Sequence, residues 1–249
     1  MNNQQKLKIS KEEKLNLESF NNFGSLMKII NYRKSYDIDV YFPEYNYTTT
    51  CTYTEFKRRT IKCPYEPRLY GIGYLGEGDF DSSSLHYIKW SNMLQRCYDE
   101  KSRYKNKTYI GCTVCEEWHN YQNFAQWHEE HYYEVPNEIM CLDKDILIKG
   151  NKEYNPDTCI YVPNAINVLF TKNNANRGEL PIGVQRRGNK YRASLGSKKS
   201  SVCATIEEAF NIYKDYKETE IKKVADNYKF LIPEILYDAL YDYQVDIHD

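Results

Sequence analysis

The segment LPIGVQRRGNKYRASL, residues 180–195, constrains the chain more than any other. Apolar and polar side chains alternate on both sides of Gly188-Asn189, a pair suited to a tight reversal, so the segment reads as a β-hairpin. SVCA follows as a third strand. Thr205 then precedes Glu208 by three residues, the spacing at which two side chains cap each other's backbone N–H groups. That signature opens an amphipathic helix running to about Tyr228. Pro233 begins a last helix, PEILYDALYDY, at the first position proline favours.

Charge sharpens this reading. The chain has 249 residues and a net charge of -1, yet residues 177–199 carry seven basic side chains against one acidic. Residues 200–249 carry five basic and eleven acidic. A short basic block in a neutral protein points to a local anionic partner, or else to a solvated face.

Upstream, LMKIINY, DIDVYF and YNYTTTCTY are dense in β-branched and aromatic residues and read as strands. YTEF reads as a short helical turn, IKCPYEP as an edge or loop, and residues 1–23 as a polar tail, frayed or weakly helical. Gly71, Gly73 and Gly76 match G-x-G-x-x-G, but DFDSSS follows where a dinucleotide site needs a helix to open. They read as a turn. HYIKWSNMLQRCYD spaces Tyr87, Trp90, Leu94 and Cys97 along one helical face. TYIGCTVCEEW reads as a strand and turn, and HNYQNFAQWHEEHYY as a helix with Phe124, Trp127 and His131 on one face.

No run approaches the ~18 apolar residues of a membrane-spanning helix, and the N-terminus lacks the apolar core of a secretory signal. The expected location is the cytoplasm, where the eight cysteines stay reduced. Cys112-x-x-Cys115 with Cys141 and Cys159 could in principle close a zinc site. The second pair is too far apart in sequence to form a knuckle, so buried thiols and no zinc are expected. His128 and His131 are one turn apart and could bind a metal, but with His119 they read first as core or surface packing.

The stretches WSNMLQRCYD, TYIGCTVCEEWHNYQNFAQW and MCLDKDILIKGNKEYNPDTCIYVPNAIN occur in an order that resembles phage-borne HNH-type endonucleases. The resemblance covers about a third of the chain. It implies a ββα unit gripping one divalent cation, Mg²⁺ or Mn²⁺, with oxygen ligands. By motif position Asp143 would be the first ligand and Asn167 the second, with Asn155, or Asn151, orienting the base. The general base should be a histidine after Asp143, and here it is Lys144. An ordinary lysine is protonated at neutral pH and accepts no proton from water. It would instead hold a phosphate.

The basic segment with TIEEAFNIYKDY resembles the AP2-type DNA-binding domain, matched by Gly183-Val184, by Gly188 to Ala193 and by Thr205 to Tyr213. That resemblance implies a three-stranded sheet on a helix, with double-stranded DNA lying on Arg186, Arg187, Lys190 and Arg192, and Lys198 and Lys199 on phosphates. The family's usual strand tryptophan is absent.

The expectation is therefore an α+β chain: a polar tail (1–23), a β-rich N-terminal module (24–80), an HNH-like ββα unit with added helices (81–176), and an AP2-like sheet plus helices (177–249). Its expected activity is metal-dependent DNA cutting or nicking, with Lys144 and Asn155 in the catalytic positions. The alternative is a catalytically degenerate DNA-binding regulator, or an inhibitor that binds a host protein. No membrane and no small-molecule cofactor are expected.

Overall fold

The computed structural model describes residues 10–171 and 179–248. Arg177, part of the basic block, lies outside the described residues. The fold mixes α and β elements, and the chain divides into two compact units, residues 1–128 and 129–249, with the boundary inside one helix.

In the first unit, α1 (Lys11–Lys14) leads to β1 (Glu18–Phe20), β2 (Leu26–Lys34), β3 (Asp37–Phe42) and β4 (Tyr47–Cys51), an antiparallel sheet in that order. Alternation in β3 buries Ile38, Val40 and Phe42 and turns Asp37, Asp39 and Tyr41 outward. In β2 the burial pattern changes phase after Ile29, where a register shift lies between Ile29 and Asn31. The extra residue restores Tyr32 to the core face. The tail expected to be frayed or weakly helical is helical at Lys11–Lys14, but its residues 18–20 pair with β2, Glu18 opposite Lys28. A three-residue edge strand with one half-buried side chain has almost no alternation to read.

Helix α2 (Tyr53–Arg58) is capped by Thr52 and Glu55 acting on each other's backbone. The glycines after it form a turn, as expected: Gly71 and Gly76 have positive φ. At Gly73 a Cβ would stand 2.4 Å from Leu94 Cδ1 and 2.9 Å from the Trp90 ring, so a side chain there would have to displace both.

Helix α3 (Leu85–Tyr98) buries Trp90, Met93, Leu94 and Cys97. Then come α4 (Glu100–Lys105), β5 (Thr113–Val114) and α5 (Tyr121–His131), which carries the chain across the unit boundary. Trp90 Nε1 donates to the Trp118 carbonyl at 2.7 Å. The Trp118 and Trp127 rings lie 4.7 Å apart. The inward face of α5 is Tyr121, Phe124, Ala125, Trp127 and His128. The expected His131, at the last position of α5, is exposed, and the buried histidine of the helix is His128.

In the second unit, β6 (Met140–Asp143) is followed by β7 (Glu153–Tyr154) and β8 (Ile160–Pro163), then α6 (Asn164–Asn167). β6 and β8 are antiparallel, with Met140 opposite Pro163 and Asp143 opposite Ile160. The basic segment forms β9 (Val184–Arg187), β10 (Lys190–Leu195) and β11 (Lys198–Lys199), with β10 central. The expected third strand, SVCA, is reduced to one bridge between Tyr191 and Cys203, and the lysine pair before it takes the edge. Helix α7 (Ile206–Tyr228) begins at the Thr205–Glu208 capping box, and α8 (Glu234–Tyr241) follows Pro233.

One helix serves two cores. Ala209, Phe210 and Tyr213 of α7 pack with Val184, Ala193 and Cys203 under the basic sheet. Ile221 and Ala225, further along, pack with Ile160, Val162 and Ile166 of the strand–strand–helix unit and with Leu236 and Leu240 of α8. At 1.5 Å per residue α7 is roughly 35 Å long. It ties the two parts of the second unit together.

Gly183 is the tightest joint between sheet and helix. Its φ is +76°, and a Cβ there would fall 1.9 Å from the Tyr213 ring. Gly183→Ala is expected to cost ~1–2 kcal/mol for the left-handed backbone and a further ~1–3 kcal/mol for overpacking. A lower urea midpoint at unchanged m-value is the measurement that checks it.

Candidate functional site

Register decides which cations of the basic sheet share a face, because directly opposed residues on antiparallel strands project to the same side. Val184 opposes Ala193, and both are buried against α7. Tyr191 opposes Arg186, so Arg186 belongs to the helix-side face, where its guanidinium lies 5.6 Å from the Tyr191 ring centroid. The opposite face carries Gln185 and Arg187 from β9, Lys190 and Arg192 from β10, and Lys199, which pairs with Ser194. Lys198 opposes Leu195 on the helix side, with its ammonium 3.7 Å from the Tyr216 ring of α7.

The six basic residues singled out in the sequence thus divide. Arg187, Lys190, Arg192 and Lys199 share the face away from α7, while Arg186 and Lys198 stack on tyrosines. The reversal itself has Gly188 at φ +61° with Asn189 outside the positive-φ region, the glycine-first pattern of a II′ turn. Arg187, Lys190 and Lys199 are exposed and Arg192 is half-buried. Arg192 Nε is shielded from solvent and has no hydrogen-bond partner among the described residues. A donor in that state favours any ligand that offers an acceptor.

The residues carried over from the endonuclease motif lie in and around the β6–β8 connection. Asp143, at the end of β6, accepts through Oδ1 from the backbone N–H groups of Asp145 at 2.9 Å and Ile146 at 2.8 Å. Burial, reinforced by the neighbouring Asp145 carboxylate, pushes its carboxyl up to about 6. Lys144 is 6% exposed. Its ammonium donates to Asp145 Oδ2 at 3.1 Å and lies 5.8 Å from the Tyr154 ring centroid.

Asn151 and Asn155, the two candidates for one role, are bridged by Thr158. Asn151 Nδ2 donates to the Lys144 carbonyl at 2.7 Å and to Thr158 Oγ1 at 3.0 Å. Asn155 Oδ1 accepts from Thr158 Oγ1 at 2.9 Å and from the Asp157 and Thr158 N–H groups. Asn167 is half-buried on α6, and no hydrogen bond among the described residues links it to Asp143. The structure gathers Asp143, Lys144, Asn151 and Asn155 into one hydrogen-bonded loop whose polar groups hold the loop's own shape.

All eight cysteines are thiols. Among the described residues the metal-ligating side chains that converge are His86, His128 and Glu129, whose ligand atoms all lie within 4.8 Å of one another. Such a group could hold a metal ion. His128 is 3% exposed. Burial, with lesser contributions from His86 and Lys89, pulls its imidazole down to about 4. Sequence reasoning set His128 beside His131 and passed over His86, 42 positions away. No local spacing could have joined them.

No helix among the described residues is long and apolar enough to cross a membrane. The chain matches no family model, no curated protein and no solved structure.

Proposed function

We propose that this protein is a double-stranded DNA-binding protein that grips the duplex with the face of its basic sheet turned away from α7. The observation that carries the reading is the register, which sets Arg187, Lys190, Arg192 and Lys199 on one side of a three-stranded sheet. A narrow antiparallel ribbon fits the major groove, arginine reads guanine edges, and lysine neutralises phosphates. Within this reading the strand–strand–helix unit acts as a rigid partner core and not as a cutting centre. The Lys144 ammonium is buried against Asp145, and the loop asparagines are engaged in holding the loop.

A second reading has one observation in its favour. The order β6, β8, α6 brings an acidic strand end and a helix asparagine into one unit, the arrangement the endonuclease resemblance implies. In that case Asp143 and Asn167 would hold Mg²⁺ or Mn²⁺, and the ion would supply the charge that lets water attack a phosphodiester. Asn155 would keep the loop in place. Lys144 would hold a phosphate, because an ammonium clamped to a carboxylate cannot serve as a base.

The experiment is a duplex gel shift run beside supercoiled plasmid incubated with Mg²⁺, with Mn²⁺ and with EDTA. We expect a retarded duplex in every buffer and intact supercoiled plasmid. Nicked or linear plasmid appearing only with metal would favour the second reading, and an unretarded duplex would remove both.

A further inference from the structure

We propose that helices α3 and α5 carry a zinc site whose protein ligands are His86, His128 and Glu129. The three lie far from the acidic strand end and the basic sheet in sequence, and the inference rests on neither reading of function. His86 is on the first turn of α3, and His128 and Glu129 are consecutive on the continuous helix α5.

The donor atoms are already gathered, each within 4.8 Å of the others. Zinc bonds of 2.0–2.2 Å to nitrogen and oxygen set tetrahedral ligand separations of roughly 3.4 Å. Small side-chain rotations would close the difference. The imidazole rings are 5.5 Å apart at an interplanar angle of 81°, edge-on rather than stacked. Phe80 packs edge-on against His86 at 5.3 Å, and Phe124 stacks on His128 at 6.3 Å. These neighbours restrict both rings, which lowers the ordering cost of binding.

The chemistry of the set selects the ion. Two imidazoles and one carboxylate suit zinc, whereas magnesium and calcium take oxygen donors. His86 Nε2 and the His128 ring are shielded from solvent, and Glu129 is exposed. Ion entry and the fourth position, which three protein ligands leave to water, therefore fall on the carboxylate side.

The test uses the full chain, stripped with EDTA and dialysed against ZnCl₂ or CoCl₂. Expected results are one zinc per chain by elemental analysis, a raised Tm with zinc, and the visible absorption of tetrahedral cobalt. Losing an outer-shell partner alone costs a metal site about 10–100-fold in affinity, so Glu129→Gln, which removes a ligand, is expected to weaken binding by at least that much. His86→Gln should abolish stoichiometric uptake, and His131→Gln, on the same helix, should leave it intact. Glu129 is exposed, so its variant stays informative if either histidine variant fails to fold. Wild-type protein that takes up no zinc would overturn the proposal. So would uptake that survives Glu129→Gln and His86→Gln but is lost on replacing Cys112 and Cys115.

Discussion

Replacing Arg187, Lys190, Arg192 and Lys199 together by alanine is expected to abolish retention of duplex DNA, while Arg186→Ala with Lys198→Ala leaves most of it. Arg187→Ala with Lys199→Ala matches that second pair in charge removed and should weaken retention far more, whereas a non-specific charge effect would make the two pairs resemble each other. The register makes them differ. The first four share the face away from α7, whereas Arg186 and Lys198 lie over the Tyr191 and Tyr216 rings. Arg192→Ala alone should cost roughly 1–3 kcal/mol on a preferred sequence and flatten preference among sequences, as expected for a side chain that reads a base edge. Lys199→Ala should weaken all sequences alike. Fluorescence anisotropy against a panel of duplexes separates these outcomes, and circular dichroism confirms that the variants remain folded.

Asp143→Asn is expected to stabilise the protein at neutral pH. Asp143 titrates near 6 in the folded chain because its carboxyl is desolvated beside Asp145, against about 4 in an unfolded one. A group whose folded pKa is raised holds its proton more tightly when folded. Its stabilising contribution is therefore complete below about pH 4 and is lost as pH rises through about 6. At pH 7 the ionised carboxylate sits at a cost of up to ~3 kcal/mol, taking ~1.4 kcal/mol per unit. Asparagine has the same shape, and its Oδ1 can still accept from the Asp145 and Ile146 N–H groups. The variant should gain about 1–3 kcal/mol at pH 7 and little at pH 4 in urea denaturation run in metal-free buffer. A variant less stable at every pH would show that the carboxylate charge is compensated within the fold. Wild-type protein that Mg²⁺ stabilises, beside a variant that Mg²⁺ leaves unchanged, would support the metal-dependent reading.

Local signals made parts of this fold legible. The Thr205–Glu208 pair marks the start of α7 because capping is a contact between residues three apart. Gly188-Asn189 marks the hairpin because one residue there needs a positive φ. The helical period finds α3 through Trp90, Leu94 and Cys97. What stayed hidden depends on pairing across space. β1 is polar and exposed at the sheet edge, so only its hydrogen bonds to β2 reveal it. Arg186 and Arg187 must face opposite ways on a strand, yet only the pairing with Tyr191 and Lys190 says which of them faces α7. His86 and His128 meet through packing of two helices, which no motif of fixed spacing encodes. For the loop after Asp143, sequence supplied the residue types. The engagement of Asn151, Thr158 and Asn155 with one another became visible only in three dimensions.

The central claim, that four cations on one sheet face hold duplex DNA, is tested most directly by the salt dependence of binding. Each phosphate contact contributes about 0.9 to the slope of log affinity against log salt, so with Lys190, Lys199 and at most Arg187 on phosphates, wild-type protein titrated with one duplex across a KCl series should give a slope of roughly -2 to -3. The four-alanine variant should bring it close to zero. A wild-type slope near zero, or a slope of roughly -2 to -3 that survives in that variant, would contradict the account.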